Sequence, residues 1–408
     1  MLGSISVPVA KNSVLPILAA SLMLDGESLV KNCPSLTDVA TSVEIINTLG
    51  GRAVISNGNL SVSYDKSENN IIDTELCKRM RSSILYIAPL LYRNGTVTLC
   101  QPGGCNIGER RIDIHLEGLC QMGAMVENDA QNIKITAPKG LKGTQFKLRV
   151  PSVGATQTLM MAAATAKGIT ILYNCAREPE IVDLAGFLKS AGARITGAGR
   201  SEIIIQGVEN LNGVEYTPVA DRIFAATILS AVSACKGAVL MKNYPADYMG
   251  SFERMIGKSG CRVFHFGDKA IVVKAAEKVA DVKISTGYYP AFATDMGPLA
   301  AAAMVNNNGT LEITEGVFEN RFAYAQQFEK LGLCCKVEQN KYFQTAGKDV
   351  YSANLQAADL RAGAAVVVAA LAKRGNFTIE GLEYIDRGYE EIENVFSALG
   401  ADIRRDTF

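Results

Sequence analysis

The sequence predicts a mixed α/β protein of two domains, each built from three βαβαββ units. Three observations predict this fold class. A glycine-ended helix followed by a strand recurs six times, each copy sits beside a helix rich in small residues, and the chain has 408 residues. Because domains usually hold about 100–200 residues, this length allows two or more of them.

The repeated pattern is the end of an amphipathic helix, a glycine, two further residues and then valine or isoleucine. Its copies begin at Gly51, Gly123, Gly192, Gly260 and Gly400, with a looser copy at Gly332. Successive glycines are 68–72 residues apart, so six units fill the chain. Glycine readily adopts the left-handed conformation that ends a helix, and the residues after it, such as Arg194-Ile195-Thr196, alternate like a strand.

Each unit also carries an earlier helix in which small residues occupy every face. These helices are predicted at 18–24, 159–166, 225–232, 299–304 and 362–372. A helix that is apolar all round is predicted to be buried on all sides. A conventional solenoid is the alternative, but its repeats are shorter, at about 20–45 residues. Three units around a shared helical core would therefore make one domain, and six would make two.

Charge and composition exclude several classes of protein. Lys plus Arg and Asp plus Glu both number 41, which argues against a nucleic-acid or membrane-surface binder. The ten cysteines form no CxxC pair, so no zinc site is predicted, and their scatter fits a reduced, cytoplasmic protein. The longest apolar run is too short for a membrane span, and no signal peptide is visible. His115 and His265 are interpreted as packed or surface imidazoles.

The most distinctive local sequence surrounds Cys105. Glycines flank this cysteine closely, and Arg110 and Arg111 follow it. Nearby positive charge lowers the pKa of a thiol and makes it reactive. A buried structural cysteine is an equally good interpretation, and no histidine is placed to act as its base.

Two helix starts could bind an anion. Lys11 and Asn12 open an apolar helix, where a cation is unfavourable unless an anionic ligand joins it. Small residues at 151–156 would let a ligand approach the backbone closely, although the Walker Gly-Lys-Ser/Thr is missing. From the residues alone, a surface lysine and an ordinary strand-to-helix turn remain the competing interpretations.

A carboxylate and a set of arginines complete the candidate residues. Asp295 lies at a turn before a small-residue helix, where it could cap the helix or act as a general base. Arginines at similar places in other repeats are Arg81, Arg222, Arg321, Arg361 and Arg387. Any one could form a surface ion pair worth under about 1 kcal/mol, but together they suggest convergence on a polyanion.

Nine segments in chain order together resemble the UDP-N-acetylglucosamine 1-carboxyvinyltransferase family of enolpyruvyl transferases. They are residues 10–12, 80–84, 103–108, 110–116, 151–156, 177–183, 294–296, 318–322 and 385–390. The resemblance runs essentially end to end. It implies an inside-out α/β barrel fold with two pseudo-threefold domains. One spans 12–219 with the Cys105 loop, and the other spans 1–11 plus 220–408 with Asp295, Arg361 and Arg387.

The resemblance also implies a reaction, in which phosphoenolpyruvate and UDP-N-acetylglucosamine give the enolpyruvyl sugar nucleotide and phosphate. It would proceed by addition and elimination through a tetrahedral ketal, as the first committed step of peptidoglycan synthesis. No metal or organic cofactor, nucleic acid or membrane insertion is implied. Closure of the two domains on the sugar nucleotide would exclude water.

The resemblance assigns roles to individual residues. Cys105 would protonate the vinyl carbon, and Asp295 would take the proton from the sugar 3-hydroxyl. The matches to phosphoenolpyruvate contacts are Lys11, Arg110, Arg361 and Arg387, of which Lys11 and Arg387 also count as catalytic. The matches to nucleotide-sugar contacts are Asn12, Arg81, Ile112, Asp113, Ile114, Ser152, Val153, Gly154 and Val317.

The chain departs from the family at three places. Arg111 replaces the usual proline, Gly297 replaces the usual glutamine, and the chain begins late, so a short edge strand is expected to be missing. These departures fit a second, divergent copy of the enzyme. Two rival functions are a catalytically silent UDP-sugar-binding paralogue and 3-phosphoshikimate 1-carboxyvinyltransferase, which lacks the Gly-Gly-Cys loop.

Overall fold

The chain divides into two compact units. The structure, a computed structural model, describes residues 1–65, 68–100, 112–129, 131–274 and 280–406. Residues 9–100 and 112–219 form one unit, here called the N-terminal unit. Residues 1–8 and 220–406 form the other, here called the C-terminal unit. The domain boundaries predicted near residues 11 and 219 stay a proposal.

The N-terminal unit alternates helices and short strands. Its helices are α1 (Lys11–Ser21), α2 (Thr37–Thr48), α3 (Thr74–Arg79), α4 (Ile87–Asn94), α5 (Asp113–Gln121), α6 (Val153–Ala164) and α7 (Pro179–Ser190). Its strands are β2 (Ser28–Val30), β3 (Gly51–Ser56), β4 (Asn59–Tyr64), β5 (Thr96–Cys100), β6 (Met125–Asn128), β7 (Asn132–Thr136), β8 (Gln145–Lys147), β9 (Ile169–Tyr173), β10 (Arg194–Thr196), β11 (Glu202–Gln206) and β12 (Glu215–Tyr216). A 3-10 turn (Arg81–Tyr86) precedes α4.

The C-terminal unit repeats this plan. Its helices are α8 (Arg222–Cys235), α9 (Ala246–Lys258), α10 (Gly297–Ala303), α11 (Ala325–Lys330), α12 (Leu360–Leu371), α13 (Leu382–Ile385) and α14 (Ile392–Ser397). Its strands are β1 (Leu2–Ser6), β13 (Ala238–Lys242), β14 (Cys261–Phe266), β15 (Lys269–Lys274), β16 (Val282–Ser285), β17 (Leu311–Thr314), β18 (Cys334–Glu338), β19 (Lys341–Thr345), β20 (Ser352–Gln356) and β21 (Asn376–Glu380). A 3-10 turn (Thr294–Met296) precedes α10.

Within the described ranges, each unit carries three sheets. The complete sheets share one order, such as β1-β13-β15-β14 and β16-β17-β19-β18. Their first two strands are parallel and the remaining pairs are antiparallel. In β16-β17-β19-β18 this order is that of a βαβ crossover through α10 followed by a hairpin, because parallel neighbours need a crossover whereas a hairpin joins antiparallel ones. The predicted βαβαββ repeat is confirmed.

Glycines end the helices as the repeat predicts. At the end of α7, Gly192 has φ of 109°, and the Ala193 amide donates a 2.9 Å hydrogen bond to the Leu188 carbonyl. This closing bond satisfies a carbonyl that has no partner within the helix. In the first copy the left-handed residue is Gly50, with φ of 89°, and Gly51 already belongs to β3.

The helices rich in small residues form the centre of each unit. In the C-terminal unit, α8, α10 and α12 pack against one another. In the N-terminal unit, the 3-10 turn before α4 packs against both α1 and α6. All residues of α10 are buried, as the absence of a polar face predicts. Each unit has its own hydrophobic core built around these helices.

One expectation about the ends of the chain is wrong, and one stays a prediction. Leu2–Ser6 form β1, which pairs in parallel with β13 over five residues, and the absence of a short edge strand of the family stays a prediction. The strand expected after Gly400 is not formed within 401–406. There the Arg405 guanidinium binds the carboxylates of Asp386 and Glu393, which fixes the segment through side chains rather than through a sheet. No helix in the described part of the chain has the length and apolar character that a membrane crossing requires.

Candidate functional site

Lys11 begins α1 and is buried, with 7% of its surface exposed. Its ammonium lies 2.6 Å from the carboxylate of Asp38, in the first turn of α2. The interpretation of Lys11 as a surface lysine is therefore wrong. Burial of a cation at a helix N-terminus is unfavourable, and the Asp38 carboxylate compensates for it. Asn12 follows Lys11 and is half-buried.

The starts of α5 and α6 carry six of the predicted sugar-nucleotide contacts. Asp113 begins α5, accepts a 2.8 Å hydrogen bond from the Ile114 amide and pairs with Arg149. Ser152 caps α6, and its hydroxyl accepts a 3.3 Å bond from the Ala155 amide. The remaining four are Ile112, Ile114, Val153 and Gly154. Because α5 packs against α6, the structure brings these two helix starts into one neighbourhood.

His115 joins the two helix starts. It lies in the first turn of α5, and a Cβ on Gly154 would come within 3.0 Å of its Nε2. Neither ring nitrogen has a hydrogen-bond partner among the described residues. Burial and the charge of nearby Arg81 lower the pKa of His115 to about 4, and they outweigh the opposing effects of the Ile112 backbone and Asp113. The imidazole is therefore neutral at physiological pH.

Asp295 lies between two guanidiniums. Arg321 Nη2 is 2.5 Å from its Oδ1, and Arg361 Nε is 3.1 Å from its Oδ2. Both arginine side chains are buried, whereas the Asp295 side chain is 28% exposed. The helix-cap interpretation of Asp295 is wrong, because α10 has no side-chain cap and the carboxylate faces cations instead.

Arg361 lies in the first turn of α12. Asp359 caps this helix by accepting hydrogen bonds from the Arg361 and Ala362 amides at 2.8 and 2.9 Å. Burial disfavours the Arg361 charge, but Asp295, Tyr389 and Asp221 together outweigh this and raise the pKa of the guanidinium. The cation is therefore permanent and held beside Asp295.

Val317 and Arg387 lie on turns of the C-terminal unit, and Gly297 lies at a helix start. The Val317 amide donates a 2.8 Å hydrogen bond to the carboxylate of Glu315. Arg387 follows α13 and is half-buried. Gly297 begins α10, and a Cβ there would meet Thr286 only at 3.9 Å, an ordinary contact.

Three predicted features lie outside the described residues: Cys105, Arg110 and the departure at Arg111. The cysteines in the described ranges are free thiols. Among the described residues, no group of three or more His, Cys, Asp or Glu could hold a metal ion.

Sequence reasoning missed Asp38 and gave no specific role to Arg321 or His115. Asp38 carries no motif, and only the tertiary fold reveals it as the counter-ion of a lysine 27 residues earlier. Arg321 stood out as one of several arginines in similar repeat positions, and that signal could have paired it with Asp295. His115 gave no sequence signal beyond its position in a helix start.

The family follows from a comparison with known proteins. A family model described as EPSP synthase (3-phosphoshikimate 1-carboxyvinyltransferase) matches residues 1–396. The chain belongs to this family of enolpyruvyl transferases. The resemblance identified in the sequence is confirmed, since similar members from Symbiobacterium thermophilum and Finegoldia magna are 40% and 39% identical. Their names are UDP-N-acetylglucosamine 1-carboxyvinyltransferase 1 and UDP-N-acetylglucosamine 1-carboxyvinyltransferase, and the matches cover 99% of this chain and 92% and 96% of theirs.

Solved structures of enolpyruvyl transferases share the fold. NikO from Streptomyces tendae superimposes with a TM-score of 0.87 at 23% identity, covering 98% of this chain and 95% of NikO. EPSP synthase from Acinetobacter baumannii gives 0.75 at 16% identity, covering 99% and 97%. At such identities the likeness concerns the fold alone, and it confirms the predicted fold class.

Proposed function

We propose that this enolpyruvyl transferase moves the enolpyruvyl group of phosphoenolpyruvate to the 3-hydroxyl of UDP-N-acetylglucosamine and releases phosphate. Relatives that are 38–40% identical over 99% of the chain carry the corresponding name. This reaction is the first committed step of peptidoglycan synthesis, and we assign the chain to that role. A cytoplasmic location, expected from the scattered cysteines, is part of the proposal.

The observation that carries this proposal is the placement of Asp295. A general base must be ionised and accessible to the proton that it removes. The two guanidiniums of Arg321 and Arg361 favour the ionised carboxylate, and its partial exposure leaves it open to a substrate. Asp295 is therefore suited to take the proton of the sugar 3-hydroxyl.

The addition step balances with one base and one acid. As Asp295 removes the hydroxyl proton, the sugar oxygen bonds to C2 of phosphoenolpyruvate, and C3 gains a proton to give a tetrahedral ketal. In the elimination, C3 loses a proton, the double bond returns and phosphate leaves. We assign the acid to Cys105, a role that rests on the family resemblance.

Phosphoenolpyruvate carries a phosphate and a carboxylate, so several cations must surround it. We assign this role to Lys11, Arg110, Arg361 and Arg387. Lys11 has the additional advantage of standing at the N-terminus of the eleven-residue helix α1, whose dipole also favours an anion. Its present partner is the Asp38 carboxylate, so an arriving phosphate competes with Asp38 for the ammonium.

The sugar nucleotide is assigned to the starts of α5 and α6, together with Asn12, Arg81 and Val317. The positive end of a helix dipole suits the diphosphate. Small residues at Ser152 and Gly154 let that group approach the backbone.

Phosphate release from phosphoenolpyruvate tests the proposal directly. We expect release by the purified protein with UDP-N-acetylglucosamine and none with shikimate 3-phosphate. Release only with shikimate 3-phosphate would favour the rival transferase. Binding of the UDP-sugar without any release would favour the silent paralogue.

Two variants test the assigned acid and base. We expect Cys105→Ala to lose turnover and keep sugar-nucleotide binding, whereas Cys120→Ala, at an exposed cysteine, serves as a matched control with full activity. Asp295→Asn should lose about 10²-fold or more of kcat. Full turnover in Cys105→Ala would remove Cys105 from the mechanism, and a near-normal kcat in Asp295→Asn would remove Asp295.

A further inference from the structure

Glu315 has a buried carboxylate that accepts three hydrogen bonds. It follows β17, and only 3% of its surface is exposed. Its Oε1 accepts hydrogen bonds from the amides of Val317 and Phe318 at 2.8 and 3.1 Å. Its Oε2 accepts a 2.9 Å bond from the hydroxyl of Thr294.

The backbone of Glu315 is itself fixed. Its amide donates to the Asn340 carbonyl at 2.7 Å, and the Asn340 side-chain amide donates back to the Glu315 carbonyl at 3.0 Å. Because Asn340 lies in the turn between β18 and β19, this exchange ties Glu315 to a hairpin of the sheet. The carboxylate thus projects from a rigid support.

The two oxygens of this carboxylate bind two different parts of the proposed site. One oxygen holds the turn that contains Val317, a proposed sugar-nucleotide contact. The other oxygen holds Thr294, the residue before the proposed base Asp295. The Thr294 carbonyl also accepts a 3.4 Å hydrogen bond from Nε of Arg321, whose Nη2 contacts Asp295.

We infer that Glu315 is a positioning residue, whose carboxylate sets the distance between the Val317 turn and the Asp295 turn. This inference rests on the proposed function and deepens it. A Glu that merely capped a local turn would need only the Val317 and Phe318 amides. The bond to Thr294 spans 21 residues of sequence and connects the proposed binding turn to the proposed base.

The two bonds predict different kinetic effects. Loss of the Thr294 hydroxyl frees the Asp295 turn alone, so kcat should fall while KM for UDP-N-acetylglucosamine changes little. Loss of the whole carboxylate frees both turns, so KM should rise as well. Displacement of a reacting group by about 1 Å can cost up to about 10²-fold in rate, and we expect about tenfold for Thr294→Val.

The experiment measures kcat and KM for both substrates in a set of matched variants. Thr294→Val should lower kcat about tenfold, and Thr294→Ser should restore it to within about twofold. Glu315→Gln keeps an acceptor for the amides and a partner for Thr294, so it should retain activity to within about threefold. Glu315→Leu should raise KM for the UDP-sugar and lower kcat, and Thr294→Val added to it should lower kcat no further.

Thr310→Val is the control. Thr310 donates a comparable 2.7 Å hydrogen bond to the carboxylate of Asp281 in the same unit, at exposed residues that are not assigned to the site. Its kinetics should equal those of the wild type.

Several results would overturn the inference. They are an unchanged kcat in Thr294→Val, an equal loss in Thr310→Val, no rescue by Thr294→Ser, or independent losses that multiply in the double variant. If Glu315→Leu does not fold, the two Thr294 variants and Glu315→Gln still decide the question. A wild-type protein that releases no phosphate would instead overturn the proposed function, so the two failures are distinguishable.

Discussion

Acid should destabilise the N-terminal unit through a single buried histidine. The pKa of His115 is lowered from its ordinary 6.5 to about 4 by burial and by the charge of Arg81. Below pH 6.5 the unfolded chain therefore binds a proton at this residue, while the folded chain does so only near pH 4. The free energy of unfolding falls as the pH falls from 6.5 towards 4, and this contribution levels off below that.

The size of the effect follows from the two pKa values. At pH 5 the protonation of this residue shifts the equilibrium between the folded and unfolded chain about 30-fold towards the unfolded state. This shift corresponds to a loss of about 2 kcal/mol relative to pH 8. At pH 4 the loss reaches about 3 kcal/mol. Either loss is a large fraction of the stability of a typical domain.

Two measurements check this prediction. The chain has only two histidines, so a proton NMR titration should show one imidazole resonance that does not shift until about pH 4, and His115→Gln should remove it. Urea unfolding of the wild type at pH 8 and pH 5 should then show the loss of stability, monitored by circular dichroism because Trp is absent.

The variant comparison isolates this residue from the carboxylates that also titrate in acid. The drop in stability between pH 8 and pH 5 should be about 2 kcal/mol smaller in His115→Gln than in the wild type. His265→Gln, at a side chain that is 41% exposed, controls for the loss of a histidine and should keep the full drop. An equal drop in the wild type and His115→Gln would refute the reasoning.

Further predictions concern an ion pair and two helix glycines. Asp38→Asn should lower the free energy of unfolding by about 3 kcal/mol, because it removes the carboxylate 2.6 Å from the buried Lys11; a loss below about 1 kcal/mol in urea unfolding would contradict this. Gly118→Ala should destabilise the protein by about 1–3 kcal/mol, because its Cβ would lie 2.5 Å from both methyl carbons of Leu159. Gly257→Ala, whose Cβ would meet nothing within 4 Å, should stabilise α9 by about 0.5–1 kcal/mol, and calorimetry that ranked the two glycine variants the other way would argue against this packing.

The sequence predicted the candidate site unevenly. Lys11 and Ser152 were singled out because they lie at helix starts, and Arg361 because arginines occupy similar places in other repeats. These features are visible in the order of residues along the chain, without any contact between distant segments. The carboxylates of Asp38 and Glu315 were not found, because their partners lie 27 and 21 residues away and no local pattern connects them.

The sequence by itself determined the repeat. Glycine at the end of a helix and apolar residues on all its faces are properties of a short stretch of chain, and they predicted the repeat of helices and strands. Within the described residues, the last unit ends without its final pair of strands. The tertiary structure alone decided what each charged side chain faces. The Asp295 carboxylate lies between two buried guanidiniums, rather than capping a helix, because α12 and the 316–321 segment bring Arg361 and Arg321 close to it. Burial and charge pairing depend on contacts between distant segments, and a linear sequence does not display those contacts.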